Sequence, residues 1–548
     1  VRLISPGNWR IRIGAIILAF GVAIYIPWML ANLNTRALWL AIPFAFANLL
    51  LAVNALATAI NNWQRDAPPP RLLPPDDEPV VAVLIPTYGE PAWMVRNTAI
   101  SALEQDWPRA KLRLVISDDA HSPAIAEMTA RLRDAYPDAT ILYHEPPRHG
   151  SPDRPGDAKA GNLNSALAML YARYPEIVAV ETRDADDEVG DRQFLRRCLG
   201  ELLSHPRIAF VQTIKDAHVS PGDPFGNREW NFYRGLMLGK HAANTVFPCG
   251  SGVVWRREAL EDIGRFPTWN LVEDLQSGIE ALCRGWRGSY VPIVGAVAQH
   301  APEDIPNVYK QRGTWAIDTM RLIFWRGFKG MRLRQKLHFY EMGLFYVYGF
   351  SALFNLLSQA VTLLFRVYPL RPLEDGHWLF GGFPPYNAMN PSYGPPFWIY
   401  ALSIEIFLIC LKDRLPYSAI WRMRQIWLGL APVYARSVII ALFSGPRRKP
   451  VYRVTRKMHR FRWYWRETWV QSAIWLLLFG ALVSYLIRLP GLRDIELGLV
   501  GWCVFHLFML GGFVRRSWFG VNWRERLAAP RARHQEAATL PAERGPAD

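Results

Sequence analysis

The stretch "IVAVETRDADDEVGD", residues 177–191, sets a short apolar run against a burst of carboxylates. Ile177 to Val180 reads as a buried strand. Glu181, Asp184, Asp186, Asp187, Glu188 and Asp191 follow within a few residues, in a chain whose formal net charge is +16. Working outward, strand-like runs recur at 80–85, 112–117, 140–143 and 208–213, with helical patterns at 92–104 and 123–134. That alternation predicts a mostly parallel sheet with crossover helices. In such sheets ligands bind beyond the carboxyl ends of the strands. Pro86-Thr87-Tyr88-Gly89-Glu90-Pro91 follows the first run, Ser117-Asp118-Asp119 the second, and Asp184-Ala185-Asp186 the fourth. Carboxylates converging there repel one another unless a cation joins them, and hard oxygen ligands suit Mg²⁺ or Mn²⁺. A diphosphate would supply the remaining ligands. There is no G-x-G-x-x-G and no Walker A lysine, so dinucleotide and P-loop readings lack support. Asp187, Glu188 and Asp191 read as a solvated loop, and Glu181 has no assignment.

The rest of the 548 residues divides by hydropathy. Apolar stretches near 11–30, 37–60, 340–365, 397–411, 470–487 and 495–514 reach or approach the ~20 residues that cross a hydrocarbon core of about 30 Å. The segment 397–411 is the weakest, because Glu405 sits inside it. The first span reads as an anchor, because a second follows at once and no small-residue cleavage site is evident. Pro68, Pro69, Pro70, Pro74 and Pro75 with Asp76, Asp77 and Glu78 form a linker to the soluble part. Lys and Arg crowd 445–466 and flank the first and last spans, which places both termini, that loop and the soluble domain on the cytoplasmic side. An even number of spans then separates the domain from 445–466. The segment 425–443, with Pro432 and Arg436 in its middle, is accordingly expected to lie along the surface. The basic balance follows from topology and lipid headgroups, and no nucleic-acid motif competes with it. Cys198, Cys249, Cys283, Cys410 and Cys503 show no metal spacing.

The ordered set "VLIPTYGEP", "ISDD", "DAKAGNLNSAL", "DAD", "FPCGSG", "VEDLQSG" and "QRGTW" resembles the processive family-2 glycosyltransferases, specifically the bacterial cellulose synthase group. The likeness covers about 80–320 and resumes at "YRVTRK", 452–457, which looks like that family's gating loop. It implies an α/β GT-A (Rossmann-like) cytoplasmic domain inserted between α-helical transmembrane segments, about six spans plus interfacial helices, in the bacterial inner membrane. The expected segments are two transmembrane helices in 1–64, the GT-A domain in 65–305, and interfacial helices with QRGTW in 306–338. Two transmembrane helices in 339–412, an interfacial helix in 413–444 and the gating loop in 445–466 come next. Two more transmembrane helices in 467–516 precede a disordered tail, 517–548. Some thirty residues follow the last span, too few for the family's cyclic-di-GMP-binding domain, so regulation through that domain is not expected.

Residue roles come from the same resemblance. Thr87, Tyr88, Glu90, Asp118 and Asp119 would hold the uridine and its ribose, with Lys159 and Asn162 also facing the nucleotide. Asp184 and Asp186 match the metal-binding pair, with Asp184 also near the nucleotide sugar. Asp274 matches the general base, beside Glu273. Phe247, Cys249 and Gly250 match the stretch at the acceptor end. Gln311, Arg312 and Trp315 match the Q-x-x-R-W region, where the acceptor sugar stacks on the Trp. Thr455 and Lys457 of the gating loop would reach the donor. An inverting transfer of this kind needs a carboxylate to take the acceptor proton and positive charge on the departing diphosphate.

Two positions depart from the family. Thr314 replaces the arginine that faces the diphosphate, leaving Arg312 or Lys457 as candidate substitutes, and Val272 replaces a threonine just ahead of the base. The expected activity is polymerisation of glucose from UDP-glucose into a β-glucan, β-1,4 favoured, with translocation. The expected partners are the donor, the growing polysaccharide acceptor, membrane lipids and an extracytoplasmic accessory subunit. Alternatives are a β-1,3-glucan (curdlan-like) synthase, a non-processive lipid-phosphate glycosyltransferase, and a transport or scaffold protein with a dead domain. The last predicts damage at the acids, yet every one is in place.

Overall fold

The computed structural model describes residues 8–69, 71–219, 223–302, 304–371, 394–412, 417–447, 464–491 and 496–519. The gating-loop positions Thr455 and Lys457 and the tail from 520 lie outside the described residues.

The soluble part is built on one eight-stranded sheet. Its strands are β1 (Val80–Thr87), β2 (Leu112–Asp118), β3 (Thr140–His144), β4 (Ile177–Thr182), β5 (Glu188–Val189), β6 (Ile208–His218), β7 (Val253–Arg256) and β8 (Arg287–His300). The order is β3-β2-β1-β4-β7-β6-β8-β5. β3, β2, β1 and β4 run parallel to one another, as does β6 with β8. β7 is antiparallel to both β4 and β6, and β5 is antiparallel to β8. The sheet is mostly parallel, as expected, with β7 and β5 as its antiparallel members. β1 explains why such strands read as unbroken apolar runs: alternate side chains enter different cores. Ala82 and Leu84 join the layer covered by helix Ala158–Arg173, through Leu163, Ala166, Leu167 and Leu170. Val81, Val83 and Ile85 face the layer covered by helices Ala92–Leu103, Pro123–Ala135 and Phe194–Leu203.

Six described helices are long and apolar enough to cross a membrane: Trp9–Ala31, Thr35–Asn61, Leu333–Phe365, Tyr417–Ser444, Trp469–Ile487 and Leu497–Trp518. This set takes in Tyr417–Ser444, which the sequence places on the surface, and leaves out Pro395–Leu411, which has 17 residues. At 1.5 Å per residue that helix is about 26 Å long, just short of a hydrocarbon core.

Packing shows how the two differ. Pro395–Leu411 lies antiparallel along Trp9–Ala31: Gly21 meets Tyr400 and Ser403, Gly14 meets Phe407 and Cys410, and the rings of Tyr25 and Tyr400 stack at 5.0 Å. Small residues let the two backbones approach. Its far end reaches the level where the soluble domain starts, because the Leu411 carbonyl accepts from Arg65 at 3.1 Å. Arg65 is buried, and it also donates to Asn62 and exchanges bonds with Asn8. At the opposite end Asn34 binds the carbonyls of Tyr368 and Pro369. Tyr417–Ser444 instead meets protein on two sides. Ile426, Leu430 and Tyr434 share a core with Ile305, Val308 and Ala316 of helix Ile305–Arg321. Gly349 of Leu333–Phe365 abuts the Ala431 carbonyl, and Trp325 donates to the Ala441 carbonyl at 2.9 Å. Arg436, in its middle, is exposed.

Candidate active site

The carboxyl ends of β1, β2 and β4 open on one rim, as parallel neighbours must. Because β7 runs the other way, the segment leading into it, Phe247–Gly252, reaches that rim too. Helix Glu273–Cys283 then brings the start of its first turn to the same place.

Asp184 is the hub. Its carboxylate binds the Lys159 ammonium at 2.5 Å on one oxygen and the Lys215 ammonium at 3.1 Å on the other, and its N–H donates to Ser251 Oγ. Asp186 is buried, and one oxygen accepts the His300 N–H at 3.0 Å. Asp187 is fully buried, not solvated, and pairs with Lys215 at 3.2 Å. Burial pushes its carboxyl up; Lys215 opposes this, while Asp184 and Asp186 add to it. For Lys159 and Lys215 burial alone would pull the ammonium down. The surrounding carboxylates outweigh it and hold both well above the usual lysine range. Glu181 forms a fully buried ion pair with Arg183, whose guanidinium also binds the Asp187 and Gly295 carbonyls. Of the six acids in the opening stretch, Asp184 and Asp187 thus pair with lysines, Asp186 lies beside them on the His300 N–H, and Glu181 props the turn.

Asp274 faces this cluster. A Cβ built on Gly250 would lie 3.0 Å from its carboxylate and 3.3 Å from the Lys159 ammonium, and Gly250 has φ +79°. Close approach and left-handed backbone both require glycine there. Lys159 donates to the Gly250 carbonyl at 3.0 Å and lies 3.6 Å from Glu273. Burial in the pocket, then the neighbouring Glu273 charge, push the Asp274 carboxyl up to about 7, with Lys159 pulling the other way. Cys249 is held by its N–H on Gln212 at 2.7 Å. Burial and Asp274 push its thiol up to about 12, so it stays an uncharged packing group.

The residues expected around uridine separate into rim and frame. Tyr88 is exposed, its ring edge-on to His149. Glu90 closes the turn by accepting from Thr87 Oγ1 and the Tyr88 N–H, and Thr87 is buried. Asp118 is fully buried, accepting from Ala120 and Ser122 N–H groups and Tyr143. Asp119 is clamped by both arms of Arg154, at 2.7 and 2.8 Å. Asn162 holds the Ser117 carbonyl at the end of β2. Phe247 is buried among Phe232 and Phe339.

Gln311, Arg312 and Trp315 sit on helix Ile305–Arg321. Arg312 pairs with Glu229, donates to the Gly226 carbonyl and stacks over Trp315 at 4.9 Å. None of those partners belongs to the lysine–carboxylate cluster, so the described structure brings Lys215 to that cluster, not Arg312. Sequence reasoning missed Lys215, Gln212 and Arg154. The available signal was a lysine and a glutamine inside the apolar run of β6, where a polar residue has to find a partner.

Residues 78–317 match the model for glycosyltransferase-like family 2. The fold agrees with the mannosyltransferase PcManGT from Pyrobaculum calidifontis, solved with GDP-Man and Mn²⁺, at a TM-score of 0.51 and 20% identity, covering 73% of this chain and 99% of that one. The segment is a family-2 glycosyltransferase domain of the GT-A class. Its relatives include the UDP-forming cellulose synthase catalytic subunit of Pseudomonas fluorescens, 29% identical over 62% of this chain and 46% of that protein. The cellulose synthase 1 catalytic subunit of Komagataeibacter xylinus is 28% identical over 63% of this chain and 46% of its own length. The chain thus spans less than half the length of these relatives.

Proposed function

We propose that this chain transfers glucose from UDP-glucose to the hydroxyl of a growing β-glucan, repeatedly, and passes the product across the membrane. The observation that carries this reading is Asp274, a carboxylate tuned to about 7, set against Gly250 and the Lys159–Asp184 pair in one pocket. Asp274 takes the acceptor proton as that oxygen attacks the anomeric carbon. The bond from that carbon to the phosphate oxygen breaks, and its electron pair leaves with UDP. Inversion at the anomeric carbon turns an α-linked donor into a β-linked product. Lys159 and Lys215 supply fixed positive charge beside the departing diphosphate, in place of the arginine missing at Thr314.

Asp184 and Asp186 fit a hard divalent cation in donor type, and the two lysines on Asp184 support reading this carboxylate as one that faces positive charge. Among the described residues no cluster of three or more His, Cys, Asp and Glu forms a complete site. The two carboxylates and the donor's diphosphate would therefore share the ligation of Mg²⁺ or Mn²⁺. Such an ion neutralises the diphosphate and favours its departure. The UDP-forming relatives support UDP as the carrier.

Thr314 and Val272 keep a β-1,3 linkage as the second reading. A non-processive lipid-phosphate transferase accounts for the acids but not for Trp315 on its helix. Purified protein incubated with radiolabelled UDP-sugars and Mg²⁺ or Mn²⁺, with the product digested by linkage-specific glucanases, tests all of these. The expected result is a polymer from UDP-glucose sensitive to a β-1,4-glucanase. No polymer from any UDP-sugar would overturn the proposal.

A further inference from the structure

The four residues ahead of the catalytic helix, Trp269-Asn270-Leu271-Val272, form a strap bonded to helix Ile305–Arg321, with the Trp269 indole also donating to the Pro446 carbonyl at 2.9 Å. Asp318 Oδ2 accepts the N–H groups of both Leu271 and Val272 at 2.8 Å. The Asp318 carbonyl accepts from Asn270, and Arg321 donates to the Asn270 side chain at 2.9 Å while lying over the Trp269 ring at 4.4 Å. Val272 stands at the N-cap of helix Glu273–Cys283 and makes no side-chain cap bond. Asp318 and Arg321 are both fully buried, a costly placement for charge unless it is paired and hydrogen-bonded. The helix that grips the strap also carries Trp315, one turn before Asp318, so both side chains leave the same face.

We infer that Asp318 is a positioning residue that sets the distance between the base and the acceptor sugar. This rests on the reading of Asp274 as base and Trp315 as acceptor platform. The Asp318 carboxylate ties the backbone two residues ahead of Asp274 to the helix that presents Trp315, so base and acceptor ride on one rigid piece. Donor binding uses the other side of the pocket, on Lys159, Asp184 and Tyr88, and does not pass through this tie. Misplacing a reacting group by about 1 Å costs on the order of a hundredfold in rate.

Two variants separate geometry from charge. Asp318→Asn keeps an oxygen in the same place to accept both N–H groups, whereas Asp318→Glu keeps the charge but pushes the strap by one methylene. Polymerisation kinetics with UDP-glucose, UDP affinity by calorimetry, and the melting midpoint of the full chain in detergent are measured for both and for Asp318→Ala. Asp318→Asn is expected to stay within about threefold of the parent kcat. Asp318→Glu and Asp318→Ala are expected to lose tenfold or more, with the donor KM and UDP affinity unchanged within about twofold. Parent-like kcat in Asp318→Glu, or loss of UDP affinity in step with kcat, would overturn the inference. If Asp318→Ala does not fold, the Asn and Glu pair still decides. Asp274→Asn run alongside keeps the two readings apart. Elongation by that variant removes the base assignment, whereas its inactivity beside an unaffected Asp318→Glu removes only the role of Asp318.

Discussion

At Asp274 a single side chain ties pH to both rate and stability. With its carboxyl pushed up to about 7, the proposed base is half protonated near neutrality, so kcat should fall as pH drops through 7. A pH–rate profile with its acidic limb near 4, the ordinary carboxylate range, would contradict this. The stability sign is the reverse. A folded-state pKa above the unfolded one means the native state binds more protons between about pH 4 and 7, so stability declines as pH rises through that window. Asp274→Asn should therefore abolish elongation, leave UDP binding intact and raise the melting midpoint at pH 8 more than at pH 5. Gly250→Ala should abolish transfer and cost about 1 kcal/mol or more of stability, because its methyl meets Asp274 and Lys159 and its φ is positive. Activity above a tenth of the parent's in that variant would refute the contact. Asp184 and Asp186 were legible because acids at a strand end contrast with an apolar run, whereas Asp274 came only from the likeness of VEDLQSG to the family's motif. Asp187 and Glu181 were not, since a buried carboxylate and a solvated one look the same until Lys215 and Arg183 are placed in space.

At the scale of elements, strands entering two cores were easy to read, because both faces are apolar. β7 and β8 were missed for physical reasons. β7 has four residues, and β8 carries Pro292 and Gly295 and slips register against β6. β7, antiparallel to β4 and β6, interrupts the mostly parallel pattern, and β7 and β8 also deliver Gly250 and His300 to the site. Helix Tyr417–Ser444 is the matching case among helices: composition alone cannot say whether apolar residues meet lipid or protein. Its seam with Leu333–Phe365 depends on Gly349, where a Cβ would come within 2.7 Å of the Ala431 carbonyl. Gly349→Leu should pry the two apart and destabilise the chain by about 1–3 kcal/mol, seen as a lower melting midpoint in detergent. An unchanged midpoint would show that the seam is loose.

Across the whole molecule, both ways of choosing the crossing helices leave an even number between the soluble domain and residue 445, so parity alone does not decide. They differ at Lys412. If Pro395–Leu411 crosses and Tyr417–Ser444 lies on the surface, a cysteine at 412 faces the same side as one at Asp153 in the soluble domain. If the roles are exchanged, it faces the opposite side, with Pro490. The Arg65–Leu411 bond and the exposed Arg436 favour the first arrangement. Membrane-impermeant labelling of Lys412→Cys, Asp153→Cys and Pro490→Cys, scored against the parent chain, is expected to group 412 with 153. Grouping with 490 would reverse the assignment.

Arg65 has a further consequence in time. It leaves the ribosome at the start of the soluble domain, yet Leu411, whose carbonyl it holds, is 346 residues downstream. At about 5–20 residues per second, roughly 20–70 s of synthesis separate the two. Through that interval the catalytic domain can fold, but this latch to the membrane bundle stays open. The joint closes only after helix Pro395–Leu411 has been made.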